Sequence, residues 1–258
     1  MDGSYLAGLL SLEGRVVLVT GARQGIGQAI AIAAARAGAR LGITSRKEGA
    51  ASGTAAKIRE FGSPAVELTV EVTSSADCRS AVTAMIAAYG SLDVVVNNAG
   101  VAVRGPSIDY PEAAWKDVMA TNLTGSFLMS QAAASAMLSS GGGRIINLSS
   151  TFARRPIPER AAYSAAKAGL EQLTRVLAVE WAPLGITVNA ISLTTILTES
   201  RVGLFSDPEV LQRRVAEIPL GRLGEVEDAV AAALFLAGPA GAFMTGQTMV
   251  VDGGFTLL

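Results

Sequence analysis

Arg15-Val-Val-Leu-Val-Thr20-Gly21-Ala-Arg-Gln-Gly25-Ile-Gly27 is the stretch on which the reading of this chain turns. Residues 15–20 form a short apolar, β-branched run, the pattern of a strand buried on both faces. Three glycines follow at once, and then an Ala-rich stretch with helical character from Gln28 to Ala37. Glycines at a strand-to-helix turn let the backbone bend tightly and approach a ligand's phosphates, while the helix N-terminus offers free N–H groups and a positive dipole end. The spacing is Gly-x-x-x-Gly-x-Gly, not the Gly-x-Gly-x-x-Gly of the commoner dinucleotide fingerprint. In its strand–turn–helix context it predicts a dinucleotide held by Gly21, Arg23, Gln24, Gly25, Ile26 and Gly27. A merely tight turn is the alternative.

Further strand-like runs lie at residues 39–45, 65–72, 92–97, 144–149, 186–191 and 247–251. Helical stretches separate them near 49–61, 75–89, 113–139, 161–181 and 225–236. Apolar strands alternating with helices of that length predict parallel βαβ crossovers, an α/β fold whose sheet is covered on both faces. In such folds ligands bind at the carboxyl ends of the strands. The motifs obey that geography. The glycine turn follows the first strand, Asn97-Asn-Ala-Gly100 the fourth, and Ser149-Ser150 the fifth.

Tyr163-Ser-Ala-Ala-Lys167 then places a phenol and an ammonium one helical turn apart on the same face. A phenol ordinarily titrates near ~10, and a nearby cation stabilises its anion. The pair is a proton donor and acceptor suited to chemistry at a carbonyl or alcohol carbon. The bland reading is an amphipathic helix with a solvated lysine.

Composition narrows the field. The chain has 258 residues, with no composition break or linker, so a single domain spanning 1–258 with an N-terminal extension over 1–11 is expected. Net charge is −1 with mixed signs, which gives no basic stripe for nucleic acid. There is no histidine, so His-based triads and His metal sites are excluded. The single Cys78 rules out a disulfide framework within the chain and fits a reducing compartment. Asp2 and Glu13 without a basic run argue against a signal peptide, and no apolar run approaches the ~20 residues of a membrane span. A cytoplasmic protein is expected.

Over roughly residues 12 to 255 the chain resembles the short-chain dehydrogenase/reductase family. The resemblance rests on Thr20-Gly-Ala-Arg-Gln-Gly-Ile-Gly27, Asn97-Asn-Ala-Gly100, Asn122, Ser150, Tyr163-x-x-x-Lys167 and Gly246-Gln-Thr-Met-Val-Val-Asp-Gly-Gly254, in that order and spacing. It implies a single-domain Rossmann fold with a doubly wound, seven-stranded parallel sheet, a nicotinamide cofactor and a homotetramer. It also implies four catalytic residues. Tyr163 exchanges the proton of the substrate oxygen, and Lys167 lowers the Tyr163 pKa and holds the nicotinamide ribose. Ser150 orients the substrate oxygen. Asn122 holds a water linking Lys167 to solvent. For Ser150 a helix cap, and for Asn122 a packing role, are the alternatives. Asn98, Ala99, Gly100, Ile196 and Thr198 are implied as further cofactor contacts, with Glu71 and Val72 at the adenine edge.

Two departures from the family pattern stand out. Leu193-Thr194 replace the usual Pro-Gly beside the nicotinamide, which changes the dihedrals open to that turn. Glu71-Val72 stand where Asp-Val is commoner, a mild change that keeps the acceptor.

Cofactor choice follows from charge at the exit of the second strand. A carboxylate there holds the ribose hydroxyls of NAD and repels a 2′-phosphate. This chain reads Thr44-Ser45-Arg46-Lys47, with Arg23 close by in the glycine turn. Guanidinium groups fork onto phosphate oxygens, so NADP(H) is favoured over NAD(H), with Ser45 and Arg46 as ligands. A solvated strand exit is the competing account. The substrate is expected to be a small carbonyl or alcohol. Arg104 and Arg154 suit a carboxylate, and with Ala178-Val-Glu-Trp-Ala182 they resemble enzymes of the gluconate type, so a polyol or sugar acid leads. The alternatives are a 3-oxoacyl-carrier-protein reductase and a non-catalytic dinucleotide-binding sensor or scaffold.

Overall fold

A strand buried on both faces must find every backbone partner in its neighbours, and the apolar runs of this chain do so in one sheet. In the computed structural model, which describes residues 3–258, the strands are β1 (Val16–Val19), β2 (Arg40–Ser45), β3 (Ala65–Thr69), β4 (Val94–Asn97), β5 (Gly143–Ser150), β6 (Ile186–Leu193) and β7 (Thr248–Val251). All are parallel, in the order β3-β2-β1-β4-β5-β6-β7. The helices are α1 (Gly3–Leu10), α2 (Gly25–Arg36), α3 (Ser52–Glu60), α4 (Ser75–Tyr89), α5 (Glu112–Met119), α6 (Gly125–Ser139), α7 (Ala161–Trp181), α8 (Pro208–Ala216) and α9 (Val226–Ala237). This is the doubly wound seven-stranded Rossmann arrangement.

Residues of β1 alternate between the two faces of the sheet. Val17 and Val19 pack with Ile30 of α2, Ile58 of α3 and Leu236 of α9. Val16 and Leu18 pack with Met85 of α4, Met129 of α6 and Leu177 of α7. Burial on both faces is why the strand reads as an unbroken apolar run rather than as an alternation. From β1 the chain winds outward to β2 and β3, then returns to β4 on the other side. That reversal opens a crevice at the carboxyl ends of β1 and β4, where loops leave the sheet in opposite directions.

Four expectations change. The helix expected over 113–139 is interrupted between α5 and α6 by a π-helical turn, Ala120–Thr124. The cause is Asn122, whose Nδ2 donates to the carbonyl oxygen of Val118, four residues back, and so competes with the helix ladder. Helix α2 begins at Gly25 rather than at Gln28, inside the glycine motif. The N-terminal extension contains α1, which packs on α9. Helix α8, not read from sequence, is short and none of its residues is fully buried: Val215 packs partly on the Ile218, Leu223 and Phe255 cluster, and Asp207, whose side chain accepts from the Glu209 N–H, and Pro208 mark its start.

Beneath the crevice lies a polar ladder. The side-chain amide of Asn97 donates to Asn147 Oδ1 at 2.8 Å, and Asn147 Nδ2 donates to Thr174 Oγ1 at 2.9 Å. These bonds tie β4, β5 and α7 together in a region from which water is excluded, since Asn147 and Thr174 are both fully buried. Replacing Asn147 by Leu keeps the volume and strands its partners. Asn147→Leu is expected to cost about 1–3 kcal/mol, read as a lower urea midpoint. A midpoint equal to the parent's would show that the ladder adds nothing to stability.

Candidate active site

Helix α2 starts without a side-chain cap: Gln24, its N-cap, is extended and makes no capping hydrogen bond. The first N–H groups of α2 therefore face the crevice, where an anion would satisfy them. Glycine is required at 27 by close approach, because a Cβ there would lie 2.3 Å from Asn98 Nδ2 and 2.8 Å from the Gly21 carbonyl oxygen. That Nδ2 donates to the carbonyl oxygens of Thr20 and Gly21 at 2.9 and 3.0 Å. Thr20 Oγ1 in return accepts the N–H groups of Asn98 and Ala99, each at 3.0 Å. Thr198, after β6, closes the other side of the turn against Gly25. These features form a cradle that fits the diphosphate of a dinucleotide.

Other expected cofactor residues surround this cradle in different ways. Arg23 and Arg46 are exposed and make no ion pair among the described residues. Ser45 Oγ donates to the Lys47 carbonyl oxygen at 2.7 Å, which shapes the turn after β2. Glu71 folds back to accept from the Thr73 N–H and hydroxyl, and Val72 packs against Gly125. Ile196 is fully buried in the core and does not line the cavity that holds Tyr163, and its carbonyl oxygen accepts from Arg201. Leu193 ends β6 paired with Ser150, and no non-glycine residue near it has positive φ, so the loss of Pro-Gly lengthens the strand without strain.

The four residues expected to be catalytic line one cavity of about 1020 Å³, together with Ile26, Asn98 and Gly100. Ser150 ends β5 and accepts the Phe152 N–H at 3.3 Å, which leaves its own hydrogen free to donate. The capping reading and the site reading of Ser150 thus describe one side chain. Tyr163 enters from the first turn of α7, its ring edge-on to Phe152 at 6.4 Å. Lys167 is buried one turn later, and its Nζ donates to the Leu148 carbonyl oxygen at 2.7 Å and lies 5.7 Å from the centre of the Tyr163 ring. Asn122 is fully buried, with Nδ2 on the carbonyl oxygens of Val101 and Val118, while its Oδ1 has no protein partner.

The electrostatics differ from the simple picture of a lysine lowering a tyrosine. Burial pushes Lys167 down to about 8. Burial also raises the Tyr163 phenol above its ordinary value, opposed by hydrogen bonding to Ser150 and by the charges of Arg201 and Arg160. Ser150 and two arginines thus oppose the effect of burial on the phenol, with the Lys167 Nζ 5.7 Å from the centre of its ring.

Two arginines expected to face the substrate separate. Arg104, in the loop after β4, lines the cavity. Arg154 does not: its Nε donates to Glu171 of α7 at 3.0 Å, and Glu171 also accepts from Ser149 at 3.0 Å. A buried carboxylate needs a cation, and Arg154 supplies it. The sequence reading missed Arg160, Arg201 and Arg213, which line the cavity from segments without a motif. A count of cations on the segments flanking Tyr163 and following β6 was the signal available for them.

The family described as Enoyl-(Acyl carrier protein) reductase matches residues 21–256. A relative from Xanthobacter autotrophicus, 2-(S)-hydroxypropyl-CoM dehydrogenase 3, is 39% identical over 96% of this chain and 98% of its own. An NAD-dependent glycerol dehydrogenase of Listeria innocua is 37% identical over 96% of each chain. Among solved structures, a gluconate 5-dehydrogenase of Burkholderia cenocepacia in complex with NADP and tartrate superposes with a TM-score of 0.93 at 35% identity, covering 98% of this chain and 99% of that one.

Proposed function

This chain belongs to the short-chain dehydrogenase/reductase family and is an NAD(P)-dependent oxidoreductase of alcohol groups, and within that frame we propose that it interconverts a polyol or sugar acid and its ketone with NADP(H). The observation that carries the reading is the meeting of Asn122, Ser150, Tyr163 and Lys167 in the cavity that also adjoins the glycine cradle.

Hydride chemistry is supplied by the nicotinamide when it is bound. The rest falls to side chains. Ser150, its acceptor side taken by the Phe152 N–H, donates to the substrate oxygen and fixes the carbon for attack. Tyr163 gives its proton to that oxygen during reduction and takes it back during oxidation. Lys167 has one proton committed to Leu148, and its remaining donors would hold the nicotinamide ribose hydroxyls when the cofactor is bound. The Asn122 Oδ1, buried and free of protein partners, is suited to hold a water that connects Lys167 to solvent.

At the other end of the cofactor, Arg46 and Arg23 are the candidate ligands of a 2′-phosphate, because β2 ends without a carboxylate. The gluconate 5-dehydrogenase was solved with NADP, whereas the glycerol dehydrogenase is named NAD-dependent. The charge at the exit of β2 favours NADP(H) here.

For assembly, Ala166, Leu170, Leu177 and Phe255 are buried within the chain, which removes them from the surface available to a partner. Val176 and Val179 on α7, with Leu257 and Leu258 at the C-terminus, stay exposed and support a tetramer with two such self-complementary faces. Among the described residues no helix is long and apolar enough to cross a membrane. A cytoplasmic site agrees with the buried Cys78, whose thiol is pushed up to about 11 and so kept unreactive.

Four measurements test this. Tyr163→Phe is expected to keep nucleotide binding and to lower turnover by roughly 10²–10⁴-fold; activity within a few-fold of the parent would remove Tyr163 from the proton path. Because oxidation needs the phenolate and reduction the phenol, the parent's kcat/KM for oxidation should climb with pH while that for reduction falls. Arg46→Ala is expected to raise KM for NADPH about 10-fold or more over NADH, the value of one charge-assisted bond; equal effects on both would show a solvated arginine. Sedimentation at micromolar concentration should give a mass near four chains of 26.4 kDa, and a single-chain mass would refute the tetramer.

A further inference from the structure

Charge is concentrated in the cavity beyond what proton transfer and cofactor binding use. The chain as a whole carries a net −1. Yet the cavity is lined by Arg104, Arg160, Arg201, Arg213, Arg214 and Lys167 against two carboxylates, Glu159 and Glu217. Arg214 is accounted for, since it pairs with Glu217 and stacks over Phe152 and Phe255. Lys167 belongs to the reaction. Arg104, Arg160, Arg201 and Arg213 remain, and none has a carboxylate partner among the described residues.

These four arginines come from separate pieces of chain: the loop after β4, the residue before α7, the segment after β6, and α8. Burial holds Arg160 below its ordinary value, and the charges of Arg104, Arg201 and Arg214 lower it further against the opposing pull of Tyr163, so Arg160 shares its space with three other guanidinium groups. Arg213 is exposed and donates to the Glu209 carbonyl oxygen. The cofactor cradle lies at the start of α2, whereas Arg160 and Arg201 stand close enough to Tyr163 to act on its phenol. Apolar walls from Leu204, Phe205 and Val210 line the same space, which strengthens any ion pair formed there.

We propose that the substrate carries a tetrahedral oxyanion, a phosphate ester or a sulfonate, held by Arg104, Arg160, Arg201 and Arg213 at the end remote from the reacting carbon. A planar carboxylate is satisfied by a single guanidinium fork. A tetrahedral group turns three oxygens in different directions and takes donors from several segments at once. This rests on the oxidoreductase reading of the cavity and narrows its substrate from an uncharged polyol or a carboxylic sugar acid to a hydroxy compound that bears a tetrahedral oxyanion.

The test compares 1,2-propanediol, 3-hydroxybutyrate, glycerol 3-phosphate and 2-hydroxypropane-1-sulfonate as substrates at saturating NADP⁺. The phosphate or the sulfonate should exceed the diol in kcat/KM by about 10- to 100-fold, and the better of the two identifies the group. That ratio should fall by a similar factor, mostly through KM, in Arg160→Gln and in Arg213→Gln. A ratio near one, a ratio unchanged in both variants, or a preference for 3-hydroxybutyrate would overturn the proposal. Thermal unfolding with NADP⁺ separates this from the oxidoreductase reading, because it needs no turnover. Glycerol 3-phosphate should stabilise the parent more than glycerol does, and the difference should vanish in the double variant Arg160→Gln/Arg213→Gln. Equal shifts in parent and variant would overturn the oxyanion site even if the diol is oxidised.

Discussion

The seam where β1 and β4 part is held by two side chains that each serve the other's backbone. Asn98 donates to the carbonyl oxygens of Thr20 and Gly21, and the Thr20 hydroxyl accepts the N–H groups of Asn98 and Ala99. At a sheet edge of this kind the ladder hydrogen bonds stop, and the last backbone groups need partners before they can be buried. Asn98 and Thr20 supply them. By doing so they fix the glycine turn at one side of the crevice and the Asn-Ala-Gly exit at the other. Asn98 is thus a structural brace first, and its place in the cavity wall follows from that role.

A second set of polar groups sets the reacting end at a fixed height above the sheet. Asn97, Asn147 and Thr174 join β4, β5 and α7, so Ser150 at the end of β5 and Tyr163 near the start of α7 ride on braced elements. Lys167 is tied to β5 through Leu148. Asn122 breaks its helix into a π turn and turns its free Oδ1 into the same space. Burying so many polar groups is costly when any is left alone, and here nearly every donor finds an acceptor. Two buried amide oxygens, Asn97 Oδ1 in the ladder and Asn122 Oδ1 beside the cavity, have no protein partner.

Charge divides the crevice into zones. Arg23 and Arg46 stand at the exit of β2 with no carboxylate to neutralise them, while Arg154 and Arg214 are consumed by Glu171 and Glu217. Between these zones, Arg160 and Arg201 act on Tyr163 itself and oppose the upward push of burial on its phenol.

The sheet, its direction and its layering were legible in the chain because a strand buried on both faces leaves a continuous apolar signature, which β1 and β4 at the centre carry, while β3 and β7 at the edges are only partly buried. Asn122, Ser150, Tyr163 and Lys167 were legible too, as polar residues at set spacings near strand exits. Helix α8 was not, because its nine residues offer only Val210, Leu211 and Val215 as large apolar positions and none is fully buried. Nor was the fate of each arginine: Arg104 and Arg154 look alike in sequence, and only packing decides that one faces the cavity while the other neutralises Glu171. Local pattern records what a segment needs from its neighbours, namely apolar cover or a backbone partner. Which charges meet across the crevice depends on segments far apart in the chain, and that distance is closed only by the fold.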